Sequence, residues 1–296
     1  MSRRGWILFS SQAFIWGVPY LLIAIAVESL APPTVVAGRT GFAALLLLPV
    51  AIHRGALRPA LARWRGVLAF AAIEMAGPFL LLSHAEQTLP SGMTGLLVAT
   101  VPLFGALVGF LLGDRSAVGP RRLLGLGIGF AGVALVVGGS VGSTNGSITP
   151  TNVAEVLLVA VCYATAPFIA HRHLDEVPGI GMATVALGAV AAFYLPIAVV
   201  AQDGAPTARS LWALAGLTVL CTAIAFITFF ALIAEVGPAK ATMFTYLNPV
   251  VALGLGVVVL DERLTWGLVA GFPVVLAGCW LAASHRDEDP VLVAEP

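Results

Sequence analysis

The chain has 296 residues, 59% of them hydrophobic and only 10% charged, with a formal net charge of zero. A soluble domain needs a charged exterior of roughly 25% of its residues, so water is excluded as the solvent for most of this surface and lipid must take its place. Zero net charge supplies no basic or acidic field, which argues against a nucleic-acid partner.

A helix needs about 20 mostly apolar residues to cross a bilayer core. Such runs fall, in chain order, at 6–27, 34–52, 66–84, 90–112 and 121–138, and then at 153–170, 179–201, 211–234, 238–260 and 266–284. The pattern predicts an all-α integral membrane protein of ten transmembrane helices. The first run exceeds the roughly 7–15 residue core of a signal peptide, so it reads as the first span. An uncharged Gly/Ser/Thr-rich linker at 138–152 separates a first unit, 1–137, from a second, 153–284. The tail 285–296 is polar and is expected to be disordered. Cys162, Cys221 and Cys279 lie far apart in separate apolar stretches. Neither zinc spacing nor a disulfide framework results, so they read as small buried residues, and no metal or cofactor is expected.

Orientation follows from the basic residues. With the N-terminus in the cytoplasm, twelve of the fifteen lysines and arginines face inward: Arg3, Arg4, Arg54, Arg58, Arg63, Arg65, Arg115, Arg121, Arg122, Arg172, Lys240 and Arg286. Arg209 and Arg263 face outward and Arg39 lies within a span. The positive-inside rule favours this arrangement, with both termini cytoplasmic.

The chain also resembles itself. Residues 89–114 align without gaps on residues 236–261 at an offset of 147, placing Pro102 on Pro249 and Asp114 on Asp261. After one residue of slippage Gly125 and Gly132 fall on Gly271 and Gly278, and in the first spans Trp16 falls on Tyr163. An odd number of helices per half means that the second copy enters the bilayer from the opposite side. The expectation is a 5+5 inverted repeat around a central cavity, an architecture that suits a carrier opening to each side in turn.

Several of these residues together resemble a known family. Trp16-Gly17 in the first span, Arg39-Thr-Gly-Phe-Ala-Ala-Leu in the second, and Asn248-Pro249 leading to Asp261-Glu262-Arg263-Leu264-Thr265 are similar to the EamA type of the drug/metabolite transporter superfamily, over roughly residues 6–284. Gly113-Asp114-Arg115 departs from the Gly-Glu-Arg-Leu usual in the first half. The resemblance implies a secondary carrier for small metabolites, often an exporter of amino acids or related compounds, with coupling energy from a proton, ion or substrate gradient, or else passive transport. No GxxxxGK[ST] segment is present, in keeping with the lack of an ATP-binding domain.

Arg39 and Glu74 are the ionisable residues well inside spans. Each costs roughly 2.5–3.5 kcal/mol at a helix centre, so each should face the protein interior, paired or hydrated. Arg39 lies about five residues from the outer end of its span and Glu74 near mid-depth, which brings an Arg39–Glu74 pair within reach. Arg39 reads either as a snorkelling or helix-tying charge or as part of the substrate route. Glu74 reads as a carboxylate for a proton or a cationic substrate group. His84, beside Glu86, reads as an interfacial histidine.

Gln12 and Trp16 share a helix face that Tyr20 extends. Tyr163 is the repeat mate of Trp16, Thr242 and Tyr246 share a face at the same spacing, and Asn248 directly precedes Pro249. A helix broken there leaves backbone groups that protein or cavity water must satisfy. Belt or packing roles compete with cavity lining for this group, and the depth of Trp16 and Tyr246 favours lining. Of the prolines inside spans (Pro19, Pro49, Pro78, Pro102, Pro167, Pro196, Pro249 and Pro273), Pro78, Pro102 and Pro249 are the hinge candidates. Gly125, Gly127, Gly129 and Gly132 fit close helix packing.

The favoured function is a small-metabolite exporter. An importer or exchanger of the same fold, and a membrane binding or assembly protein without transport, are the alternatives. An intramembrane enzyme lacks support because no cluster of acid/base, nucleophilic or metal-binding residues is visible.

Overall fold

The computed structural model describes residues 1–113, 119–140 and 148–283. Asp114, Arg115, the middle of the linker and the tail 285–296 lie outside them. Each expected span is a helix: α1 (Arg3–Ala26), α2 (Pro32–His53), α3 (Trp64–Ala85), α4 (Ser91–Leu111), α5 (Pro120–Gly138), α6 (Pro150–Leu174), α7 (Gly179–Ala201), α8 (Ala208–Val236), α9 (Thr242–Leu260) and α10 (Trp266–Ala282). The first nine are long and apolar enough to cross a bilayer, α10 is a shorter apolar helix, and no strand occurs among the described residues.

Helix boundaries follow local chemistry. Proline stands in the first turn of α2, α5 and α6, where its missing N–H costs nothing. Side-chain oxygens of Ser2, Thr149 and Thr207 accept from the N–H groups of Gly5, Asn152 and Ser210, capping α1, α6 and α8. Gly237 ends α8 with a positive φ of 80°, and Asp261 ends α9 in the left-handed region at 52°.

Five helices are irregular in mid-course. α1 breaks at residues 16–18 before Pro19, α4 at Ala99–Thr100 before Pro102, and α9 opens with a 3-10 segment, Thr242–Tyr246, before Pro249. α3 and α8 carry π-helical segments, Ala72–Ala76 and Val219–Ile224, whose starts are 147 residues apart. By contrast α2, α6, α7 and α10 run continuously through Pro49, Pro167, Pro196 and Pro273. The irregularities release backbone carbonyls, and neighbours satisfy two of them. The Tyr194 hydroxyl donates to the Ala76 carbonyl at 3.0 Å, and the Cys279 thiol donates to the Ala99 carbonyl at 3.2 Å.

α5 and α10 form the closest helix pair. A side chain at Gly278 would strike the Gly129 and Gly125 backbones, one at Gly132 the Val275 N–H, and one at Gly139 the backbone of Gly267. Gly127 has open space around it and takes no part.

α4 and α9 cross asymmetrically. Ser91–Val98, the first half of α4, packs on Asn248–Leu260 of α9, whereas Val101–Leu111 packs on α6 and α10. The bundle is therefore tied at the end where α4 begins and loosened toward the end where it finishes.

Candidate functional site

α1 brings Gln12 and Trp16 against α8 and α9. The Gln12 side chain is fully buried, its Oε1 accepts from the Thr228 hydroxyl at 2.8 Å, and its Nε2 has no partner. Trp16 is half-buried in an aromatic cluster, with ring centroids 4.9 Å from Phe229, 5.2 Å from Phe244 and 6.3 Å from Phe226. Tyr20 lies beyond the α1 break in a different cluster, packed on Gly95 of α4. Tyr163 and Tyr246 border that same cluster, both half-buried. Asn248 has a buried Oδ1 without a partner, and its carbonyl faces Gly17, so the breaks in α1 and α9 lie against each other. Thr242 is exposed and does not share a face with Tyr246. The reason is the 3-10 winding of residues 242–246, which at three residues per turn sets positions four apart on different sides.

Arg39 is 6% exposed. Its Nε donates to the Thr222 hydroxyl of the α8 π segment at 2.9 Å, and its guanidinium lies 4.0 Å from the centroid of the Phe79 ring. A hydrogen bond from a charged group contributes roughly 1.5–3 kcal/mol and a desolvated cation–π contact up to about 2 kcal/mol. Those contacts offset part of the cost of burying the charge, yet they supply no counter-charge. Among the described residues Arg39 forms no ion pair, and Tyr20, Tyr163, Cys221 and Glu86 are the groups within electrostatic reach.

The expected Arg39–Glu74 pair is not made. Arg39 sits at the level of Phe79, five residues further along α3 than Glu74, which is about 7.5 Å at 1.5 Å per residue. Glu74 stands at the centre of the α3 π segment, half-buried, with no hydrogen bond or ion pair among the described residues. Tyr163 and Cys162 of α6 are its electrostatic neighbours. Pro78 follows this π segment, and Pro102 and Pro249 follow the breaks in α4 and α9, so each hinge candidate borders an irregular stretch. His84 pairs with Glu155 of α6 at 2.9 Å.

Two carboxylates that sequence reasoning did not select are central to the tied end. Glu262 reaches back across α9 to cap α4: Oε1 accepts from the Ser91 N–H at 2.6 Å and Oε2 from the Gly92 N–H at 3.1 Å. The carboxylate crosses over Gly256, where a Cβ would strike both Glu262 Oε2 and the Ser91 hydroxyl. Glu86, one residue past α3, is 5% exposed and both of its carboxyl oxygens are buried without a hydrogen-bond partner. The Ala24 backbone approaches it without completing a bond. Burial and the nearby Glu262 push the Glu86 carboxyl well above the usual carboxylate range, against the opposing pull of Arg39. The short stretch from Gln87 to Pro90, which holds Glu86 close to α4, was the available sequence signal.

An apolar groove of about 960 Å³ runs along the perimeter between α2 and α7. Exposed Phe42, Leu45, Leu195 and Val199 line it, and none of the candidate site residues does.

The model of the EamA-like transporter family matches residues 3–138 and again residues 153–284, nearly the whole described chain. The chain belongs to the EamA-like transporter family. Relatives of this EamA-family chain include an Escherichia coli K12 protein named an uncharacterized inner membrane transporter, YedA, 33% identical over 85% of this chain and 81% of that one. A probable terminal-alkyne amino-acid exporter of Streptantibioticus cattleyicolor is 26% identical over 88% and 87% of the two chains. A crystal structure 18% identical superposes with a TM-score of 0.65 over 96% of this chain and 97% of that one, which shows a common fold. This EamA-family protein is thus a multi-pass membrane protein of transporter type.

Proposed function

We propose that the chain is a secondary exporter of amino acids or closely related amphipathic metabolites, working by alternating access. Two five-helix units, residues 1–137 and 153–284, would be threaded through the bilayer in opposite directions with both termini cytoplasmic and a solute route between them. The twofold match to the family model, the matched 147-residue spacing of the π segments and the distribution of basic residues support this arrangement. On that orientation the tied end is the outer one, and the structure represents the outward-closed form.

The observation that carries the substrate reading is the buried guanidinium of Arg39, fixed by Thr222 and Phe79 but without a counter-ion. A buried cation left unpaired is costly unless an anion visits it. The substrate's carboxylate fills that role. Glu74, similarly unpartnered and about 7.5 Å away along α3, takes the cationic group or a coupling proton, while Trp16, Tyr20, Tyr163 and Tyr246, with the amides of Gln12 and Asn248, line the route. The name of the Streptantibioticus relative agrees with an amino-acid cargo.

Counterflow in proteoliposomes, screened across amino acids, their methyl esters and nucleobases, tests the reading. Free amino acids should exchange, esters should not, and Glu74→Gln and Trp16→Ala should lower exchange in protein that stays folded. Equal exchange of ester and free acid would remove Arg39 from recognition.

A further inference from the structure

We propose that Glu86 is a proton-binding site whose occupancy accompanies closure of the outer end of the bundle. The proposal rests on the carrier reading for its orientation, but its chemistry stands on the geometry around one carboxyl group.

Both oxygens of Glu86 are sealed from solvent and neither has a donor. The Ser91 hydroxyl oxygen, at the start of α4, is fully buried and also unpartnered. An ionised carboxylate in that setting would lose its hydration for no completed hydrogen bond, a penalty of several kcal/mol that the approach of the Ala24 backbone and the pull of Arg39 offset only in part. Oxygens sealed in this way admit no water-sized molecule, and the fitting ligand is a proton, taken from hydronium while the end is open. The charged and titratable groups facing Glu86 are Glu262 from the α9–α10 connection, Arg39 from α2 and Tyr20 from α1. His84, two residues earlier, turns instead to Glu155. Glu262 is committed to the Ser91 and Gly92 N–H groups, so neither of its oxygens is offered to Glu86. Two carboxyl groups at one closing seam therefore divide the work: one holds α4 to α9 through two accepted hydrogen bonds, and the other must be discharged before the seam can shut.

The sign follows from linkage. Closure raises proton affinity at Glu86, so the closed form is fully favoured at acidic pH and loses ground as pH rises above the carboxyl's open-state value. The closed-to-open ratio falls by up to tenfold per pH unit until the higher closed-form value is passed. Acid on the outer face thus promotes closure.

Pulsed electron resonance on spin labels at exposed Gln87 and Leu264, in full-length protein in lipid nanodiscs, reads the seam directly. Between pH 5.5 and 8.5 the wild-type closed-to-open ratio should fall at least fivefold. Glu86→Gln should hold the short distance throughout, and Glu86→Asp should restore a pH response, with thermal melting confirming that each variant is folded. A wild-type distribution that ignores pH, or an unaltered pH response in Glu86→Gln, would overturn the proposal. A response lost in Glu262→Gln but kept in Glu86→Gln would also overturn it, by moving the proton to the capping residue. Counterflow measured on the same preparations separates the two ideas: absent exchange with an intact pH response sinks the carrier reading and leaves the proton site standing.

Discussion

Glu262→Gln removes the charge from the α4 cap while keeping its shape. In the structure the two carboxylate oxygens accept from Ser91 and Gly92 at 2.6 and 3.1 Å, and the negative charge faces the positive end of the α4 dipole. A glutamine retains one acceptor oxygen. One bond then falls from charge-assisted to neutral strength, about 1 kcal/mol, and the other is lost, about 1.5–3 kcal/mol, with a further 0.3–1 kcal/mol or so from the dipole. Water entering the opened cap recovers part of this, leaving about 2–4 kcal/mol, or roughly 30- to 700-fold in the closed-to-open ratio at 1.4 kcal/mol per decade. Hydrogen exchange of the amides at 91–94, followed by mass spectrometry at fixed pH, measures it. Protection should fall by at least tenfold in the variant, with little change in α5 and α10. Exchange within threefold of wild type would refute the assignment of Glu262 as the tie between α4 and α9.

Two further outcomes follow from the packing and the buried cation. Gly278→Leu should lower the thermal melting temperature by several degrees, because its side chain meets the Gly129 and Gly125 backbones and overpacking costs typically 1–3 kcal/mol, whereas Gly127→Ala, in open space, should leave it within about a degree. Arg39→Lys keeps a positive charge but loses the planar stack on Phe79 and the directed bond to Thr222; amino-acid counterflow should fall at least tenfold in protein that still melts cooperatively, and wild-type kinetics would make Arg39 a structural tie.

The helices themselves were readable because lipid imposes length and hydropathy on each crossing, and every expected span returns as a helix at nearly its expected bounds. The mid-course irregularities were half readable. Pro19, Pro102 and Pro249 mark breaks because a missing N–H and a ring clash act locally, but Pro49 and Pro196 sit in helices that continue. The π segment of α8 contains no proline; it is held by the Thr222 hydroxyl bonding the Leu217 carbonyl, a contact that only the folded winding creates. The site was less legible. Helical spacing placed Gln12 beside Trp16, yet the same spacing failed for Thr242 and Tyr246 once the backbone wound as a 3-10 helix. Arg39 was marked by its depth, but the choice of Thr222 and Phe79 over Glu74 depends on how α2, α3 and α8 are rotated. Glu86 went unselected because the groups that surround it, the Ala24 backbone of α1 and Glu262 of the α9–α10 connection, are distant in sequence.

The most direct test of oppositely threaded halves uses single cysteines at positions 114 and 261 in an otherwise cysteine-free chain, probed with a membrane-impermeant maleimide in right-side-out and inverted vesicles. Position 261 should react only in the right-side-out preparation and position 114 only in the inverted one. Reaction of both from the same face would contradict the account.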